Sequence, residues 1–121
     1  MVTRSIRIAA ALAIAGAGTG CALLSGSPEG VRSVGAGLAA HAVCSGAFVG
    51  GRPAEGVFAA DVRPLSALTA MIEVSADPAT RSATARAPGV PPRVARLVAD
   101  RGCVLDAPPL PAGQAPPPAF V

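Results

Sequence analysis

The chain has 121 residues, enough for one domain, and carries a formal charge of +3 from ten basic and seven acidic residues, with every basic residue an arginine. Arg4 and Arg7 lie in an N-terminal leader, and without them the charges nearly balance, which argues against nucleic-acid binding. Trp and Tyr are absent and the phenylalanines are only Phe48, Phe58 and Phe120, a scarcity of aromatics that argues against binding of single strands by base stacking. Lys and Asn are absent too, which excludes a Schiff-base lysine, a P-loop lysine and a Ser-x-x-Lys nucleophile.

The leader, residues 1–26, reads as an export signal or membrane anchor. Residues 1–7 form a short positive region, residues 8–17 an apolar one, and small residues follow. A retained span would need about 20 apolar residues. Residues 8–24 approach that length but are interrupted by Gly16, Gly18, Thr19 and Gly20. Gly18-Thr19-Gly20-Cys21 resembles a bacterial lipobox, with Gly18 where Leu is usual, so Cys21 is a candidate lipidation site.

Residues 27–106 are expected to form a small α+β domain. After a linker rich in turn formers, Val31, Val34, Leu38, Ala42 and Ser45, then Phe48 or Val49, recur at spacings of three and four and predict one apolar helix face. Gly50-Gly51-Arg52 ends that helix. Pro53 suits the first position of a second, short helix, with Glu55 in its first turn and Val57, Phe58 and Val62 on its apolar side; Pro64 stops it. From Leu65 an extended chain is expected. Ile72, Val74 and Ala76 alternate with Glu73 and Ser75, and Asp77-Pro78-Ala79-Thr80 is a turn signal. Ser82, Thr84 and Arg86 then alternate with Ala83, Ala85 and Ala87, completing a hairpin with one wet face. Residues 93–99 are a candidate third strand, so the expected sheet is antiparallel with two or three strands. The arginines at 81, 86, 93 and 96 are expected on its exposed face. Residues 107–121, dominated by Pro, Ala and Gly, read as a disordered tail or linker, as if a further domain should follow.

Cys44 and Cys103 are the two cysteines of this domain, and a bond between them would clamp it. Such a bond belongs to an oxidising compartment, in agreement with an exported chain: periplasmic, membrane-anchored or extracellular. The alternative is two free thiols. Three catalytic or metal-binding arrangements find little support: a Cys44–His41 pair, Ser45 and His41 with Asp61 or Asp77, and a zinc site from three cysteines and His41. The helix is apolar, no strained nucleophile turn is visible, and no C-x-x-C spacing exists. No catalytic, metal-binding or cofactor-binding residue is assigned.

Val43-Cys44-Ser45-Gly46-Ala47-Phe48-Val49-Gly50-Gly51-Arg52 resembles the Cys-Ser-Gly-x-Phe-Val-x-Gly-Arg motif of bacterial exported serine hydrolases whose main domain is β-lactamase-like, of the class C or penicillin-binding-protein type. Gly102-Cys103-Val104-Leu105 is similar to their Gly-Cys-x-Leu segment, and the likeness covers residues 38–105. It departs from the family at Pro53-Ala54-Glu55, where Asp-Pro-Glu is usual. The family's Ser-x-x-Lys and Tyr-x-Asn elements lie downstream of this segment and are absent here, so no catalytic role transfers to any residue. The resemblance implies a non-catalytic N-terminal accessory segment, truncated or split from its enzyme. Its partner would be a downstream or separately encoded hydrolase domain, with a membrane reached through the N-terminus. The other reading is an independent envelope protein or lipoprotein that binds a partner through its arginine-bearing sheet.

Overall fold

A computed structural model describes residues 26–119. The segment read as a signal or anchor lies, up to residue 25, outside the described residues, and so does Cys21, the candidate lipidation site. Helix α1 spans Pro28–Cys44 and continues through a π-helical turn, Ser45–Val49. Its start is local chemistry. Ser27 is the N-cap, its Oγ accepts the Gly30 N–H at 3.0 Å, Pro28 occupies the first turn and Glu29 faces the helix dipole. The expected linker therefore includes the cap itself.

The second helical segment is a single turn, α2 (Ala54–Val57), prolonged by a π-helical turn at Phe58–Val62 and a 3-10 turn at Arg63–Leu65. Pro53 stands just ahead of it as N-cap. The extended chain expected from Leu65 does not begin there. A further 3-10 turn, Ala67–Met71, intervenes, capped by Ser66 Oγ, which accepts the Leu68 N–H.

The sheet is a four-stranded antiparallel meander in the order β1-β2-β3-β4: β1 Glu73–Asp77, β2 Ser82–Arg86, β3 Arg93–Val98 and β4 Gly102–Leu105. It has one strand more than the two or three expected. The fourth is only four residues long, too short for alternation to reveal, and is placed by pairing Leu97 with Cys103 and Val98 with Gly102. The β1–β2 turn follows its sequence signal, with Asp77 Oδ1 accepting the Ala79 N–H at 2.9 Å. Register places Val74, Ala76, Ala83, Ala85, Ala95, Leu97 and Cys103 on the face under α1. Glu73, Ser75, Thr84 and Arg86 lie on the other, the wet face expected of the hairpin.

The buried face of α1 is not the expected one. Ala36, Ala39, Ala40, Val43 and Cys44 are buried against the sheet, whereas Val31, Val34, Leu38 and Val49 are exposed. Both sets recur at helical spacing. The sheet beneath presents alanines at 83, 85 and 95, and only the small-residue side of the helix can approach so closely. At Gly37 an added Cβ would stand 3.0 Å from Leu105.

Of the four arginines expected on the exposed sheet face, Arg86 and Arg96 lie there by register, whereas Arg81 and Arg93 do not. Arg93 lies on the helix side. Its Nη2 donates to Asp106 Oδ2 at 2.6 Å and its Nε to Oδ1 at 3.1 Å, while Nη1 donates to both Ser33 O and Ser33 Oγ at 3.1 Å. One side chain thus bolts the start of α1 to the ends of β3 and β4. Arg81 sits in the β1–β2 turn at φ 50°, donates to Pro78 O and lies over the Phe48 ring. Arg96 donates to Ala107 O, holding the start of the tail, which contains no helix or strand among its described residues.

The hydrogen bonds from Arg93 hold the Asp106 carboxyl below the usual carboxylate range. A depressed folded-state value means that this pair stabilises the fold above the ordinary carboxylate pKa. Its contribution fades as pH falls through the lower, folded-state value. NMR titration should find Asp106 protonating below a free aspartate, and Asp106→Asn should remove that part of the acid dependence of unfolding. A normal Asp106 titration would contradict the bolt.

Candidate functional site

The motif that carries the sequence resemblance forms a joint between the two helical segments. Cys44, fully buried, is disulfide-bonded to Cys103, with Cα atoms 6.0 Å apart, so the end of α1 is tied to β4. Beyond it, Gly50 N–H donates to Ser45 O and Arg52 N–H to Gly46 O, both at 2.9 Å. Gly51 adopts φ +65°, a left-handed position that terminates the helix. Gly46 faces α2. An added Cβ there would meet Val57 Cγ2 at 2.5 Å, so only glycine allows the two segments to cross this closely. Phe48 is buried. Arg52 closes the joint through a two-pronged contact with Asp61, Nη1–Oδ2 2.5 Å and Nη2–Oδ1 3.4 Å.

Three of the groups weighed for catalysis are engaged in this framework. Cys44 is in the disulfide, Asp61 pairs with Arg52, and Asp77 caps the β1–β2 turn. His41 is exposed on α1, whereas Cys44 is buried. Among the described residues, no three His, Cys, Asp or Glu residues lie close enough together to hold a metal ion. The Arg52–Asp61 and Arg93–Asp106 pairs leave no signal in the sequence. Their partners are 9 and 13 residues apart, outside the local spacings that reveal a pair on a helix.

An apolar groove of about 230 Å³ lies between α1 and the 3-10 turns. Val31, Val34 and Leu38 form one wall, and Leu65, Leu68 and Met71 the other. Val34 is 70% exposed and Leu65 62%. The groove has few polar side chains, and each makes a hydrogen bond to the backbone. Thr69 Oγ1 donates to the backbone, Ser66 Oγ accepts the Leu68 N–H, and Arg32 Nε donates to Pro28 O. The groove is thus an apolar trough with little to offer a hydrogen-bonding ligand. The α1 residues expected in the core form its wall, and the 3-10 turn opposite carries no periodic signal.

Among the described residues, no helix is long and apolar enough to cross a membrane. Comparison with protein-family models, with curated proteins and with solved structures finds no match to this chain.

Proposed function

We propose that the chain is the non-catalytic N-terminal accessory segment of an exported, β-lactamase-like serine hydrolase. Residues 27–106 act as a disulfide-clamped module and residues 107–121 as a disordered linker toward the hydrolase domain. The observation that supports this reading is the use to which the motif is put. Cys44, Gly46, Phe48, Gly51 and Arg52 all hold the joint, as disulfide, close crossing, core, helix stop and ion pair. A motif spent on framework fits an accessory segment whose chemistry is carried elsewhere. The disulfide is in keeping with an oxidising compartment.

The test has two arms. Purified chain should not hydrolyse nitrocefin or simple esters and amides, and the DNA that follows the gene should encode a frame with Ser-x-x-Lys and Tyr-x-Asn. Turnover by sequence-verified protein would refute the absence of activity. A downstream region with no hydrolase frame, together with recovery of a specific envelope component in pull-downs, would favour an independent envelope protein.

A further inference from the structure

We propose that the aliphatic trough of α1 and the 3-10 turns is a membrane-contacting face, which dips into the bilayer surface from which the N-terminal segment emerges. The inference rests on the reading of residues 1–26 as a retained or lipidated anchor. It goes beyond the assignment to a hydrolase.

Two features select lipid as the occupant. The first is chemical. Val31, Val34, Leu38, Leu65, Leu68 and Met71 are each about half exposed or more on one side of the domain, and isolated exposed apolar residues are ordinary whereas a contiguous set is not. A protein-binding patch is normally rimmed by groups that hydrogen-bond the partner. Here the buried Thr69 is bonded to its own backbone, and Ser66, whose Oγ accepts the Leu68 N–H, keeps a single hydroxyl proton. Arg32 alone keeps guanidinium N–H groups for an acceptor, and a planar guanidinium beside an aliphatic surface suits a lipid phosphate above acyl chains.

The second is chain length. The apolar stretch of residues 8–24 ends just before the Ser27 cap, and Val31 lies one turn inside α1. Seven residues from Leu24 to Val31 span at most about 25 Å even when fully extended. A chain anchored through that stretch, or through Cys21, keeps the trough within reach of the bilayer, so a weak apolar contact becomes an intramolecular one.

The absence of Trp provides the probe. Full-length chain carrying Leu68→Trp, or Met71→Trp should the first variant fold poorly, is reconstituted into phosphatidylcholine–phosphatidylglycerol vesicles with or without brominated acyl chains. Ala99→Trp serves as control. It lies in the exposed β3–β4 turn, one six-residue strand, about 20 Å, away from the end of the sheet beside the trough. The expected result is blue-shifted emission from the indole at position 68 that brominated lipid extinguishes, with position 99 unaffected. Vesicle-bound Leu68→Trp protein whose emission is unquenched overturns the inference and leaves anchoring intact. If that emission is nonetheless blue-shifted, the trough is covered by protein, a second copy or the chain's own N-terminal segment, and the inference also fails. Protein that does not sediment with vesicles overturns the anchor reading and this inference together.

Discussion

Replacing Cys44 and Cys103 together by alanine should destabilise the domain by about 4 kcal/mol, the chain-entropy value for a closed span of 59 residues. The loss is large because the remaining core is thin. Of its buried side chains many are alanines, at 36, 39, 40, 83, 85, 87 and 95, and the largest that are fully buried are only Val43, Val57 and Val62. Small apolar side chains remove little surface from water, at about 25 cal/mol per Å², and domains of this size have only about 5–15 kcal/mol in hand. The bond joins the end of α1 to β4, so every element between them lies within the closed loop. Urea unfolding of wild type and the double variant, each with and without reductant, measures the effect. Reductant should shift the wild-type midpoint to that of the variant and leave the variant unmoved. Coincident midpoints for all four samples would sink the clamp.

Gly46→Ala is the second large effect, and its sign runs against local propensity. Alanine in a helix is ordinarily favoured over glycine by about 1 kcal/mol. At this position the new methyl would lie 2.5 and 2.7 Å from the two methyls of the fully buried Val57, and 3.1 Å from its Cβ. A β-branched side chain has few rotamers to escape into, so the segments must separate. Overpacking of this kind costs about 1–3 kcal/mol, and Gly46→Ala should be destabilising despite its better propensity. Val57→Ala alone should cost about 2 kcal/mol through two lost methyls and the cavity left behind. The double variant should be more stable than the sum of the two, because the truncated Val57 no longer opposes the new methyl. Thermal unfolding of the four proteins provides the cycle. A neutral or stabilising Gly46→Ala would show that the crossing is looser than described.

Elements governed by neighbours in the chain are legible in the sequence. The β1–β2 hairpin, its Asp77 turn and the third strand fall where alternation and turn chemistry place them, since a period of two and an Asx turn involve only adjacent residues. The stop at Gly50-Gly51 is readable for the same reason. The α1 core face is not, because hydrophobic spacing identifies a face by side-chain size. The real interface instead selects the small side chains at 36, 39, 40 and 43 that let the helix settle on an alanine-rich sheet. Arg93 reads as a surface residue because arginine usually is one. Its partners at 33 and 106 are distant in sequence and meet only when helix and sheet are docked.

From its residues alone, then, the chain determined an α+β order of elements, the residues that cap and break them, and two cysteines able to join. These follow from backbone preferences and polar contacts reaching no more than a few positions along the chain. Tertiary structure alone decided which side of α1 is buried, that β4 completes the sheet, and that valines and leucines meant for a core instead line an open trough. Those outcomes depend on how closely two surfaces can approach, which is a property of matched shapes that no single segment possesses.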